Sequence, residues 1–357
     1  MEHIAKIEQI VRDAAEKNAS DIHCTPGSPM MYRIDGKIVV ASEEITGPSD
    51  VDEMIFPLLT EKQKAELEEN GEVGFAYSLT GVSRIRINVY RQRGTYALSI
   101  RILPSDIFSE EQLGIPEAIL NLTRKKKGLI LVTGPAGSGK STTIASLMNV
   151  IAEEDARKII SIEDPIEYLF QHKKSMVNQR EVGYDTKSYA AGLASALRQD
   201  PDVIMVGELR DLETIELALS AAETGHLVIA ALYTENTVAA VERLVDIFPQ
   251  EKQQQIRVQL SNVLCGVMAQ QLLPRADGTG RVAAYEVLLV REEIKEMIQK
   301  GKTHQIRSAM VNGRKDGMQL MDDAIYDLYM KSAISTQMAV RFAEDGAGMQ
   351  QKIFLFQ

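Results

Sequence analysis

Cysteine is nearly absent from this chain of 357 residues: only Cys24 and Cys265 occur, far apart and without a CxxC half-site. That argues against a disulfide framework and against a structural zinc. No apolar run approaches the roughly 18 residues needed to span a bilayer, and no charged-then-apolar leader opens the sequence. Neither a transmembrane segment nor secretion is therefore encoded, and a reducing cytoplasm is the expected compartment. Basic excess is missing as well: 40 Lys and Arg stand against 50 Asp and Glu, a net charge of −10. General nucleic-acid binding is not expected from such a balance. Internal repeats and low-complexity tracts are also lacking. What remains is an ordinary globular composition, 45% hydrophobic and 25% charged, in a chain longer than one core usually organises.

The pattern along the chain predicts two domains. An amphipathic helix opens it, with Ile4, Ile7, Val11 and Ala14 on one face. Residues 31–40 read as two short strands around an Asp35-Gly36 turn, and residues 75–79, 83–90 and 96–102 as three further alternating strands. Residues 1–103 are thus expected to form a small α+β domain, and the polar, proline-containing segment 104–117 a linker. From 118 to 357 the spacing becomes that of an α/β domain, with strand-like runs at 128–133, 158–163, 202–207 and 226–233 in a mostly parallel sheet. An Asp211 cap and a Gly225 stop delimit a helix between them. The last hundred residues read as helical, including 246–269 and 291–300.

Between the first of those strands and a helical pattern lies Gly134-Pro135-Ala136-Gly137-Ser138-Gly139-Lys140-Ser141, followed by Thr142. It fills every fixed position of the phosphate-cradling loop GxxxxGK[ST], in the strand–loop–helix context that loop requires. Backbone N–H groups and the helix dipole would hold the phosphates of ATP. Lys140 would reach the β- and γ-phosphates, and Ser141 would ligate Mg²⁺. Hydrolysis needs in addition a metal-side acid and a group that orients or deprotonates water. Two strand ends offer carboxylates at the same sheet edge: Glu208 after residues 202–207, and Glu163, Asp164 and Glu167 after residues 158–162.

With these motifs in order, the sequence resembles the secretion-ATPase superfamily of type II secretion and type IV pili, in particular its retraction ATPases. The resemblance covers almost the whole chain. It runs from Ala19-Ser20-Asp21-Ile22-His23 and residues 86–94 through the phosphate loop and Ile162-Glu163-Asp164-Pro165-Ile166-Glu167, which is similar to the family's Asp box. It continues through Asn178-Gln179-Arg180-Glu181-Val182-Gly183 and residues 196–202 to Val206-Gly207-Glu208-Leu209-Arg210-Asp211, similar to an atypical Walker B, and Gly225-His226-Leu227-Val228, similar to the His box. The resemblance implies a PAS-like N-terminal domain, a RecA-like ATPase domain and a homo-hexameric ring with ATP between domains and subunits. It implies that Glu163 polarises water and that Glu208 holds Mg²⁺ through water. It also gives Arg86, Arg101 and His226 roles at the γ-phosphate. The implied partner is an inner-membrane pilus platform protein, placing the chain in the cytoplasm at the inner face of the membrane.

Two departures stand out. The family's His box ends in a Thr-Leu-His-Thr run, whereas this chain has Ala231-Leu232-Tyr233-Thr234, and the phenol cannot become cationic near neutral pH. Residues 293–300 keep the isoleucine spacing of the family's Ala-Ile-Arg-Asn-Leu-Ile-Arg-Glu helix and little else. Assembly and secretion ATPases carry a longer N-terminal region and a four-cysteine zinc module, and neither is present. The expected function is therefore a motor that hydrolyses ATP to power type IV pilus retraction and twitching motility, without zinc. The alternatives are a weakly hydrolysing partner of another pilus motor, motivated by Tyr233, and a pilus-assembly or secretion ATPase.

Overall fold

The computed structural model describes residues 2–34, 36–79, 83–103 and 106–355. The chain divides into two compact units, Met1–Asp106 with Glu167–Leu169, and Ile107–Ile166 with Phe170–Gln357.

The first unit is an α+β structure on a six-stranded antiparallel sheet. Its strands are β1 (Asp21–Cys24), β2 (Pro29–Ile34), β3 (Lys37–Ile45), β4 (Glu72–Leu79), β5 (Ser83–Gln92) and β6 (Thr95–Ile102), in the spatial order β3-β2-β1-β6-β5-β4. The alternating runs expected from the sequence are these strands, except that β1, only four residues long, offers too little periodicity to be read. It nevertheless sits at the centre of the sheet, pairing with β2 on one side and β6 on the other. Asp35, in the expected β2–β3 turn, lies outside the described residues. Helix Glu2–Glu16 buries Ile7, Val11 and Ala14 in the core of this unit, as its amphipathic spacing requires; the Ile4 side chain is outside the described set. Within the segment expected as a linker, Ser109 and Gly114 cap a one-turn helix, Glu110–Leu113.

The second unit has a seven-stranded sheet of β7 (Gly128–Thr133), β8 (Lys158–Glu163), β9 (Met176–Glu181), β10 (Val203–Val206), β11 (Leu227–Leu232), β12 (Leu264–Pro274) and β13 (Arg281–Leu289), ordered β13-β12-β7-β11-β10-β8-β9. All neighbours are parallel except β12 and β13. Every residue of β7, β10 and β11 is buried, which is why their sequences are unbroken apolar runs: helices cover both faces of a parallel sheet. Helix Leu212–Glu223 begins where Asp211 Oδ1 accepts the Thr214 N–H at 2.8 Å.

The helical reading of residues 246–269 is corrected by the structure. Helix Gln250–Val263 does lie within that range, after helix Thr237–Asp246 has ended at its first residue, but at Leu264 the backbone turns extended and β12 begins. Its first seven residues are all buried, so they show no period-two alternation, and an apolar run of that kind cannot be told from a buried helix by pattern. Beyond β13 the chain is helical, including Glu292–Gln299, Met321–Met330 and Gly346–Leu355. Among the described residues no helix is long and apolar enough to cross a membrane.

Candidate active site

The loop from Gly134 to Gly139 joins β7 to helix Lys140–Glu154. Two of its glycines are required by close approach as well as by φ. A Cβ at Gly134 (φ +150°) would lie 2.4 Å from the Gln270 carbonyl oxygen, and one at Gly139 (φ +90°) would lie 2.8 Å from Gln270 Nε2. Gln270, on β12, therefore forms the wall against which the loop is folded. Its Oε1 accepts from Thr143 Oγ1 at 2.8 Å, tying the first turn of the helix to the same wall. Lys140 is 6% exposed. Its ammonium donates to the carbonyls of Gly134 (2.9 Å) and Pro135 (2.8 Å) and lies 3.8 Å from the centroid of the Tyr233 ring. Ser138 Oγ is buried with no hydrogen-bond partner, a cost a protein rarely tolerates unless a ligand completes the bond. Ser141 is exposed and Thr142 half-buried at the helix start. A loop wrapped about a lysine, with an unmatched hydroxyl inside it and a helix N-terminus behind it, fits a polyphosphate.

The acids stand along the same edge. Strands β7, β11, β10 and β8 are consecutive neighbours and parallel, so their carboxyl ends present Gly134, Tyr233, Gly207-Glu208 and Glu163 in a row. Glu163 closes β8, is buried, and its Oε1 accepts from Ser161 Oγ (2.6 Å) and Gln179 Nε2 (2.9 Å). These bonds fix the carboxylate plane. Gly207 lets β10 run close beside it: a Cβ there would meet the Tyr189 hydroxyl at 3.1 Å and the Ile162 carbonyl at 3.2 Å. Burial pushes the Tyr189 phenol well above its usual range, foremost among causes that include the Asp164 charge. Glu208 is paired with Arg210, whose guanidinium also lies 3.7 Å from Asp164. The Glu208 contact is the main reason Arg210 is held more firmly protonated than usual.

Not all the expected residues meet at this edge. His226 precedes β11, and its carbonyl accepts the Gly128 N–H that opens β7. It therefore stands at the amino end of the strand whose carboxyl end carries Tyr233, about 20 Å away along the strand, with its Nδ1 2.9 Å from the Ala221 carbonyl oxygen. Within one chain the structure separates His226 from the phosphate loop. Arg86 and Arg101 belong to the first unit, directly opposite each other on β5 and β6. Arg101 Nε lies 2.9 Å from Asp21 Oδ1, and Asp21 is in turn opposite Arg33, so one face of this sheet carries a row of three arginines around one carboxylate. Sequence reasoning assigned no role to Gln270, Gln179, Ser161 or Arg210. The first is reached only through the fold; Gln179 and Arg210 lie inside quoted motifs whose partners were not visible.

The loop, the acids beside it and the parallel sheet behind them define a P-loop nucleotide-binding protein with a RecA-like core. A sequence model of the type II/IV secretion system protein family matches residues 2–341, and the chain belongs to that family. It is one of the family's ATPases, with an N-terminal α+β domain preceding the RecA-like one in sequence. The type IV pilus retraction ATPase PilT of Pseudomonas aeruginosa is 40% identical over 333 residues, 93% of this chain and 96% of that protein. A twitching motility protein of Neisseria gonorrhoeae is 40% identical over 326 residues, 91% of this chain and 86% of that one. The crystal structure of the pilus retraction motor PilT with bound ADP superposes with a TM-score of 0.91 at 46% identity, covering 97% of this chain and 99% of that chain.

Proposed function

We propose that this ATPase works as a homo-hexameric motor that hydrolyses ATP with Mg²⁺ to power type IV pilus retraction, and with it twitching motility. The observation that carries the reading is the shared edge: a phosphate loop and two carboxylates, on neighbouring parallel strands, in a chain that matches retraction ATPases along nearly its whole length. Bound MgATP supplies the phosphoryl group and the metal charge that stabilises its transfer. The protein's part is positioning and proton handling. Residues 134–142 wrap the phosphates, Ser138 Oγ donates into them, and Lys140 neutralises their charge. Ser141 and Glu208 would hold the metal; Arg210 keeps Glu208 oriented. Glu163 orients the attacking water and takes its proton on the carboxylate. Arg86 and Arg101 are the arginines that sense the γ-phosphate, Arg101 steadied by Asp21.

The motor acts in the cytoplasm on an inner-membrane platform protein and carries no structural zinc; one tightly held zinc per chain in purified protein would overturn that part. A second reading, a weakly hydrolysing partner of another pilus motor, is favoured by the Tyr233 ring on Lys140. Deleting the gene and counting surface pili tests direction: a retraction motor leaves more pili, and their loss would establish an assembly motor instead. Steady-state phosphate release separates motor from partner, since a motor turns over alone.

A further inference from the structure

The contact between Tyr233 and Lys140 has a mechanical setting. Tyr233 is the first residue after β11, and β11 pairs with β7 up to Leu232 opposite Thr133. Thr133 Oγ1 donates to the Leu232 carbonyl and accepts the Thr234 N–H, both at 3.0 Å. The backbone is thus tied to β7 on both sides of Tyr233, directly beside Gly134. The Tyr233 side chain, by contrast, is 53% exposed, so it can rotate outward with little loss of packing. Its ring face lies 3.8 Å from the Lys140 ammonium, well inside the range at which a cation is attracted to an aromatic face. Lys140 is also the side chain that a polyphosphate must engage. A ring face at 3.8 Å occupies the side of the ammonium that it covers, so an oxygen arriving there has to take the ring's place.

We propose that Tyr233 is a displaceable cap on the phosphate site: its ring holds the Lys140 ammonium, and the phosphate oxygens of a nucleoside triphosphate bind by turning it out. The cap rests on the nucleotide-binding reading of the loop. It makes the ring a competitor of the ligand rather than a contact to it, so removing the ring strengthens binding. The test is calorimetric titration of the full-length protein with ATP and with inorganic tripolyphosphate, which probes the loop without the base. Tyr233→Ala and Tyr233→Leu are expected to tighten both ligands by about two- to thirtyfold, the range spanned by exposed and desolvated cation–π contacts. Tyr233→Phe keeps the aromatic face and is expected to match the unsubstituted protein within about twofold. Leucine retains bulk without the quadrupole, which separates attraction from mere filling of space. Unchanged or weaker binding in Tyr233→Ala overturns the cap, as does a Tyr233→Phe that behaves like Tyr233→Ala. If the unsubstituted protein binds neither ligand, it is the nucleotide reading that fails.

Discussion

Replacing Glu163 by glutamine should separate binding from hydrolysis. The amide is isosteric, and its oxygen can still accept from Ser161 Oγ and Gln179 Nε2, the two donors that now meet Oε1. Packing in this buried position is therefore kept, and only the charge and the capacity to take a proton are lost. A positioned general base is worth roughly 10²- to 10⁴-fold, or about 3–5 kcal/mol of barrier. The effect on affinity has the opposite sign, since removing a negative charge near bound phosphates weakens their repulsion, less so with salt screening. Phosphate release should thus fall at least about a hundredfold, while calorimetry finds ATP bound as well as before or better. Glu163→Gln hydrolysing within about threefold of the unsubstituted rate would refute the assignment. If Glu208→Gln then binds ATP but is inactive, the base is Glu208.

Lys140→Ala should abolish tight ATP binding while the thermal transition stays cooperative, since the ammonium is the main charge in the loop; undiminished affinity in a folded variant would sink the loop assignment. Gln270→Ala should lower stability by about 1–3 kcal/mol, the cost of unsatisfying Thr143 Oγ1 and removing the side-chain wall behind Gly139, and should weaken ATP binding with it; a denaturation midpoint equal to that of the unsubstituted chain would show the side chain is dispensable. Asp21 is partly buried, which alone would raise its pKa, but hydrogen bonds from Ser20 and Arg101 and the Arg101 charge outweigh this and hold it below its usual value. A lowered carboxylate stabilises the fold fully above the unfolded-state value of about 3.9 and loses that contribution as pH falls through the folded-state value. Urea melts should therefore show Asp21→Asn less stable at about pH 5–7, with the gap closing below about pH 4; a gap independent of pH would mean the Asp21 charge contributes nothing.

Much of the site was legible because its residues lie where a buried run changes character. The apolar residues of β8 end in Glu163 and those of β10 in Gly207-Glu208, and such ends fall at the sheet edge where α/β proteins bind ligands. The phosphate loop was legible because its geometry demands particular residues at fixed spacing. Four strands escaped: β1, too short for a period, β12, buried throughout its first seven residues, its antiparallel partner β13, which falls in the stretch read as helical, and β9, at the edge of the sheet. Misreading β12 as helix hid Gln270, because a side chain on a helix after residue 263 would have had no reason to face the loop.

The contrast between His226 and Tyr233 shows what a sequence motif cannot convey. The two residues are seven positions apart within one boxed segment, yet β11 between them is extended, at about 3.3 Å per residue, and sends them to opposite edges of the sheet. Thr133 and Thr234 are 101 positions apart, yet parallel pairing of β7 with β11 brings their hydroxyls to 2.6 Å. Proximity along the chain therefore argues for a shared site inside a turn or a helix, or between alternate residues of one strand such as Ser161 and Glu163. From one end of a strand to the other it argues against one, and the residues to search for are those at the matching ends of neighbouring parallel strands. By that rule Tyr233, rather than His226, is the residue of the segment that belongs with Lys140, and the ring face over the ammonium is the physical content of the departure that first marked it in the sequence.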